Sequence, residues 1–98
     1  MAIRSFRNKA TEDINYGRRS KPALRLLPQG LHERAQIKLA RLGAVTSLQD
    51  LKELRGNRFE ALRGDRKGQY SIRINDRYRI CFRWEREDAV DVEVVDYH

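Results

Sequence analysis

The period of the hydrophobic pattern changes near the middle of the chain. In the first half, apolar residues recur every three or four positions between Leu31 and Leu42 while charged residues fill the opposite side, which predicts an amphipathic helix. A shorter helix is predicted over residues 9–16, and another helical turn after Ser47. The stretch between the first two helices, residues 17–30, contains two prolines and two glycines and is predicted to be an irregular, basic loop.

In the second half, apolar and polar residues alternate, which is the period of a strand with one buried face. A short strand is also predicted at residues 3–6. Turn-forming segments divide the second half into four predicted strands, at about residues 58–63, 69–74, 77–84 and 89–98. Because strands joined by short turns form an antiparallel meander, we expect an α+β fold in which this sheet packs on two N-terminal helices. The length of 98 residues predicts a single domain over residues 1–98.

The chain is strongly basic and its charges are segregated. Its formal net charge is +7 and its sequence pI is near 10.1. Residues 58–84 carry eight Lys or Arg against three acidic residues, whereas residues 85–98 carry one Arg against six acidic residues. This balance favours a polyanionic partner, and nucleic acid is favoured over a membrane because no cationic amphipathic helix with an aromatic face is present. No apolar run approaches the roughly 18 residues of a membrane span, so we expect a cytoplasmic protein.

Strand alternation places several arginines on one face of the predicted sheet. Arg73 and Arg79, from neighbouring strands, both belong to this face. A solvated outer surface would explain them, but guanidinium groups on adjacent strands are also suited to bidentate phosphate binding. In the predicted loop, Arg18 and Arg19 would either neutralise an RNA backbone or simply keep the turn soluble.

A carboxylate and an imidazole accompany these arginines. Glu60 lies in the first strand of the second half, and His98 is the last residue of the chain. A base for the 2′-hydroxyl proton, an arginine for the charged phosphorane and an acid for the leaving 5′-oxygen are the groups that cleave RNA without a metal. The structural alternatives are that Glu60 is an exposed strand residue paired with a cross-strand arginine and that His98 is an unstructured chain end.

No metal site and no cofactor is predicted. The other histidine, His32, begins the main helix and has no cysteine or second histidine at metal-ligand spacing, which excludes a zinc site. Cys81 lies in an apolar run and is expected to be a buried small hydrophobe rather than a reactive thiol.

The chain also resembles a known family. Its segments Leu-Arg-Gly-Asp-Arg, Ser-Ile-Arg-Ile-Asn and Tyr-Arg-Ile-Cys-Phe, together with the terminal Asp-Tyr-His, are similar to those of HigB-type toxins of the RelE/ParE superfamily, at residues 62–66, 71–75, 78–82 and 96–98. The likeness covers nearly the whole chain. It implies a RelE-like fold and a type II toxin that cleaves mRNA on the ribosome and thereby inhibits translation.

The resemblance also implies roles for individual residues. It implies a terminal catalytic cluster and two phosphate-binding positions, namely Asp96, Tyr97 and His98 for the cluster and Arg63 and Arg79 for phosphate. Some HigB toxins have a histidine where this chain has Glu60, whereas the related YoeB toxins pair a glutamate with a C-terminal histidine. We therefore expect Glu60 to be the general base and His98 the general acid, with Arg73 and Lys67 as further phosphate contacts.

The implied partners are a HigA-like antitoxin, which would neutralise the toxin, and the 70S ribosome with its mRNA. Operator DNA would be bound only indirectly, through the antitoxin, and the toxin alone is expected to be a monomer. Two alternatives stay open. A ParE-like inhibitor of DNA gyrase would share the fold without needing an acid and a base, and a non-catalytic module would only bind RNA or its partner.

Overall fold

The computed structural model describes residues 3–54 and 56–97. Within these residues helices come first and strands follow, as the change of period predicts. The helices are α1 (Lys9–Asn15), α2 (Lys21–Leu26), α3 (His32–Ala44) and α4 (Leu48–Glu53), and the strands are β1 (Glu60–Ala61), β2 (Tyr70–Arg73), β3 (Tyr78–Glu85) and β4 (Asp88–Asp96). Single turns of 3₁₀ helix occupy Gln29–Leu31 and Gly64–Arg66.

The four strands form one sheet in the order β1-β2-β3-β4, with every neighbouring pair antiparallel. The predicted meander and the α+β class are thus confirmed. β1 is much shorter than the predicted strand over residues 58–63. At its start, Arg58 has a left-handed backbone (φ 44°) that interrupts the extended conformation. The predicted first strand is reduced to two isolated parallel bridges, from Ile3 to Ala89 and from Phe6 to Val92.

Helix α2 lies where an irregular loop was predicted over residues 17–30, so that prediction is wrong for its central part. The hydroxyl of Ser20 accepts a hydrogen bond from the backbone N–H of Ala23 over 3.2 Å and caps the helix. Pro22 lies in the first turn, where its missing N–H would have had no partner in any case. Ala23 and Leu27 are fully buried, so packing against the rest of the protein stabilises this short helix.

The core lies between the helices and one face of the sheet. Its largest fully buried side chains come from both layers and include Ile14, Leu39 and Leu42 from the helices and Ile72, Ile80 and Phe82 from the strands. The other face, which we call the open face, carries the side chains of alternate positions from β1 to β4, namely Glu60, Ser71, Arg79, Cys81 and Glu93. None of the helices in the described residues is long and apolar enough to span a bilayer.

A buried carboxylate joins α1 to the start of α2. Asp13 accepts a hydrogen bond from the Ser20 hydroxyl over 2.7 Å and lies 3.3 Å from both Lys9 Nζ and Arg18 Nη1. The Ser20 hydrogen bond, reinforced by these cations, lowers the pKa of Asp13 below its ordinary value of 3.8. Because the ionised form is favoured in the folded state, Asp13 stabilises the fold above that pH.

We expect Asp13→Asn to lower the free energy of unfolding at about pH 7, and the difference from wild type to shrink as the pH falls through the lowered pKa, where Asp13 itself becomes protonated. Urea unfolding followed by circular dichroism at several pH values measures this difference. Glu53→Gln, which removes an exposed carboxylate at the end of α4, is the matched control and should change little at any pH. Equal stability of Asp13→Asn and wild type at neutral pH would contradict the assignment.

Candidate active site

Arg79 lies near the middle of the open face, and its side chain is only 12% exposed. Its Nε donates a hydrogen bond to the Ser71 hydroxyl over 2.7 Å, and its Nη2 donates to the backbone carbonyls of Arg58 and Ser71. All three acceptors are neutral, so they hold the guanidinium in place without cancelling its charge. In the described part of the chain Nη1 makes no hydrogen bond, which leaves its two N–H groups for an outside acceptor.

Glu60 lies beside this arginine on the edge strand. It is in register with Ser71 of β2, and its Oε1 is 4.0 Å from Arg79 Nε. This separation is at the limit of an ion pair, and the Glu60 side chain is 52% exposed. Glu60 therefore forms a loose cross-strand pair and is also accessible to a ligand.

Tyr97 completes the group from the end of β4. The guanidinium carbon of Arg79 lies 5.9 Å from the centre of the Tyr97 ring, within range of a cation–π interaction. Tyr97 also lines an open cleft of about 450 Å³ together with Glu60 and Arg63. Four of the predicted site residues, Glu60, Arg63, Arg79 and Tyr97, thus meet at this place, which we call the catalytic cleft.

Of the two further predicted phosphate contacts, Arg73 lies beside Arg79, and Lys67 lies in the segment between β1 and β2. Arg73 is directly opposite Arg79 in the pairing of β2 with β3, so the two like charges are neighbours, and Arg73 is balanced by an ion pair with Asp76. Lys67 follows the 3₁₀ turn between β1 and β2 and is exposed. Adjacent cations of this kind favour binding of an anion between or above them.

The terminal cluster is divided between the two faces of the sheet. Asp96 is in register with Tyr78, on the alternate position to Tyr97, and its carboxylate accepts two hydrogen bonds from Arg77, over 2.9 and 2.7 Å. These hydrogen bonds raise the pKa of Arg77. Asp96 thus engages Arg77 on the side of the sheet opposite to Tyr97. His98, the predicted general acid, lies outside the described residues.

Arg18 and Arg19 belong to the helical layer, on the other side of the sheet from the catalytic cleft. Arg18 contacts Asp13 and lies over the ring of Tyr16, with 5.1 Å between the guanidinium carbon and the ring centre. Arg19 lines a pocket beside α3 together with His32, whose Nε2 is 2.8 Å from the Leu27 carbonyl oxygen. The structure therefore does not bring these two arginines to Glu60 and Arg79.

Sequence reasoning missed the groups that hold the arginines in place. Ser71 and the Arg58 carbonyl bind Arg79, and Arg66 donates hydrogen bonds to Glu93 and Gln69, each over 3.0 Å. The hydrogen bond with Glu93 raises the pKa of Arg66. The register pairs Ser71 with Cys81 and Arg73 with Arg79, so Ser71 lies diagonally across from Arg79 on the open face. This register could not be predicted from the sequence.

Cys81 lies on the open face beneath these long side chains and is fully buried, as predicted. Burial raises the pKa of its thiol to about 11. Residues 3–54 and 56–97 contain no cluster of three His, Cys, Asp or Glu side chains able to hold a metal ion.

Comparison with known proteins first defines the class. The fold is similar to that of a solved structure titled YoeB-YefM complex from Staphylococcus aureus, with a TM-score of 0.60, 18% sequence identity, and coverage of 100% of this chain and 99% of that one. This likeness, together with the antiparallel meander and its N-terminal helices, defines a RelE-like fold.

The sequence then defines the family. The model of the HigB-like toxins, described as RelE-like toxins of the type II toxin-antitoxin system HigB, matches residues 5–98. The chain therefore belongs to this family, and the predicted resemblance is confirmed. It is 43% identical over 60 residues to Toxin HigB-1 of Vibrio cholerae, and this match covers 61% of the chain and 63% of that protein's length.

We expect Cys81 to react with Ellman's reagent at about pH 8 at least a hundredfold more slowly in the native protein than in urea, because a thiol whose pKa is about 11 is almost entirely protonated and is also buried. Absorbance of the released thiolate measures the rate. The matched control is Cys81→Ala combined with Glu87→Cys, which places the thiol on an exposed turn and should react rapidly in the folded state. Native Cys81 reacting as fast as this control would contradict its burial.

Proposed function

We propose that this HigB-like toxin is a ribosome-dependent endoribonuclease that cleaves mRNA and thereby inhibits translation. The observation that carries the proposal is the meeting of a carboxylate and a guanidinium in one open cleft. Glu60 Oε1 lies 4.0 Å from Arg79 Nε, and Tyr97 and Arg63 line the same space. A carboxylate and a guanidinium supply two of the three groups that metal-independent RNA cleavage by acid and base requires, namely the base and the phosphate-stabilising cation.

In the proposed reaction, Glu60 removes the proton from a ribose 2′-hydroxyl, and the oxygen attacks the adjacent phosphorus. The bond from phosphorus to the 5′-oxygen of the next nucleotide breaks, which gives a 2′,3′-cyclic phosphate and a 5′-hydroxyl. His98, which directly follows Tyr97 in the chain, is assigned as the acid that protonates this leaving oxygen. No cofactor takes part in these steps.

Arg79 is assigned to stabilise the negative charge of the phosphorane. Its position is fixed in advance by Ser71 and by backbone carbonyls, and its Nη1 donors face no acceptor in the described residues. A donor that is already oriented needs no reorganisation during the reaction, which is the main source of electrostatic catalysis. Arg63 and Arg73 are assigned to the flanking phosphates, with Lys67 as an outer contact.

Dependence on the ribosome fits the shape of the cleft. It is open to solvent, so an unstructured mRNA would not be held well enough for in-line attack, whereas the ribosome presents mRNA in a defined conformation. The basic surface would contact ribosomal RNA through phosphate groups. These features support the 70S ribosome and its mRNA as the working partners of a cytoplasmic toxin.

We further propose that the chain acts as a single domain and a monomer until it binds an acidic segment of a HigA-like antitoxin. The net charge of +7 supports such a partner because opposite charges speed association and favour the correct complex. Operator DNA would be reached only through the antitoxin.

We expect ribosome-bound mRNA to be cut by wild-type protein, and cutting to fall by about a hundredfold or more in both Glu60→Gln and His98→Ala, because each variant lacks one proton-transfer group. Primer extension on mRNA with and without programmed ribosomes measures the cuts. Glu87→Gln removes an exposed carboxylate on a turn and is the matched control that should retain cutting. Growth arrest by wild-type protein with intact mRNA would instead favour inhibition of DNA gyrase.

Arg79→Lys keeps the positive charge but cannot reproduce the planar fork that binds Ser71 and the Arg58 carbonyl together. We expect the single-turnover rate of cleavage on programmed ribosomes to fall by about a hundredfold, as when an oriented oxyanion donor is removed. The control is Arg83→Lys on the same strand, which should stay within a few fold of wild type. An unchanged rate in Arg79→Lys would show that charge alone is sufficient at this position.

A further inference from the structure

A second cavity lies on the other side of β1 from the catalytic cleft. Its volume is about 540 Å³, and its lining includes Lys52, Arg58, Phe59 and Tyr70. Ala61 lines both this cavity and the catalytic cleft, so the two spaces are separated only by the short strand β1. The volume is within the range of small-molecule binding sites.

The lining combines flat aromatic surface with positive charge. The rings of Phe59 and Tyr70 are stacked, with 5.4 Å between their centres and 26° between their planes. Lys52 Nζ lies 5.6 Å from the centre of the Phe59 ring, and the side chain of Arg58 is exposed beside it. Tyr70 therefore covers one face of Phe59, and the flexible Lys52 side chain covers the other. A base that displaces the Lys52 ammonium would stack on this outer face, with cations beside it for the attached phosphate, since every base has a face that stacks and every nucleotide carries a negative charge.

We propose that this cavity, the aromatic pocket, binds the base of a nucleotide adjacent to the scissile phosphate of the mRNA. The inference rests on the proposed nuclease function and adds a site for base recognition to it. The base takes the place of the Lys52 ammonium over Phe59, Tyr70 supports the opposite face of that ring, and Lys52 and Arg58 contact the phosphate and ribose.

The backbone of β1 explains why one RNA strand can reach both spaces. β1 is at the edge of the sheet, so no further strand of the described residues blocks the path around it. Glu60 lines the catalytic cleft, and the residue before it, Phe59, lines the aromatic pocket, as expected when consecutive residues of an extended chain point to opposite faces. The Arg58 carbonyl accepts a hydrogen bond from Arg79, so the segment that lines the aromatic pocket is bonded directly to the proposed catalytic arginine.

The same pocket would also accept an apolar side chain from a protein partner, but such a side chain would leave Lys52 and Arg58 without a role. A second aromatic pair, Phe6 and Tyr16, has a comparable cation in Arg18. It lies in the helical layer, far from Glu60 and Arg79, and therefore serves as a control rather than as a candidate site.

The test is a double-mutant cycle between protein and mRNA on programmed ribosomes. In the mRNA, each nucleotide flanking the cleaved bond is replaced in turn by an abasic ribonucleotide. In the protein, Phe59 is replaced by Leu. The matched control variant is Tyr16→Leu. We expect the loss of one flanking base to slow wild-type cleavage by about fivefold to a hundredfold, the range for base stacking on an aromatic side chain. Phe59→Leu should slow cleavage of intact mRNA by a similar factor and should cause no further loss on the matching abasic mRNA.

If the loss of rate caused by Phe59→Leu multiplies with the loss caused by the abasic nucleotide at both flanking positions, the aromatic pocket is overturned. The nuclease proposal would still stand. Absence of cleavage by wild-type protein would instead defeat the nuclease proposal itself. If circular dichroism shows that Phe59→Leu does not fold, the same cycle with Lys52→Gln decides the question, because Lys52 is exposed and its replacement does not alter the core. Coupling of Lys52→Gln to the same abasic position would support the pocket, and independence from both positions would overturn it.

Discussion

A charged group that is removed from water needs hydrogen-bond partners within the protein. On the open face this requirement applies to Arg79. Its guanidinium is nearly buried, and its hydrogen bonds go to the Ser71 hydroxyl and to backbone carbonyls, including that of Arg58. Neutral acceptors satisfy the N–H groups without forming a close ion pair, so the positive charge stays available. The arrangement of the whole cleft follows from this, because Glu60 and Tyr97 are placed around a guanidinium that cannot move freely.

The Arg58 carbonyl is in turn held by a buried polar group that links the helices to the sheet. Asn57 is fully buried. Its side-chain nitrogen donates a hydrogen bond to the Leu51 carbonyl over 3.1 Å, and its side-chain oxygen accepts one from Lys38 Nζ over 3.0 Å. Burial lowers the pKa of Lys38, with neighbouring arginines adding to the effect. The backbone carbonyl of Asn57 also accepts a hydrogen bond from the backbone N–H of Arg73 over 2.6 Å. Because a buried amide with these partners has one acceptable orientation, the helical layer fixes the segment that leads into β1.

Most of the fold could be predicted from the sequence, because the period at which hydrophobic residues recur reflects the local geometry of a helix or a strand. The errors arose where one residue type serves two purposes. Pro22 was interpreted as a helix breaker, but it lies in the first turn of α2. The run over residues 58–63 alternates like a strand, although Arg58 has a left-handed backbone. In the site, residue types pointed to Glu60 and Arg79, but strand register brings them together, and register depends on long-range packing. That Asp96 would engage Arg77 instead could not be predicted for the same reason.

The acidic residues of β4 partly neutralise the arginines that neighbour them on the open face. Glu93 forms an ion pair with Arg66 at 3.0 Å, and Asp91 lies 3.9 Å from Arg83, so these guanidinium groups are partly neutralised. Arg79 directs its hydrogen bonds within the described residues to neutral acceptors, and the carboxylate of Glu60 lies 4.0 Å from its Nε. A carboxylate therefore compensates the charge of Arg79 more loosely than that of Arg66, which donates a hydrogen bond to Glu93. The segregated charges of the sequence thus do more than make the protein basic: the acidic last strand pairs with neighbouring arginines of the open face, whereas Arg79 is held mainly by neutral groups.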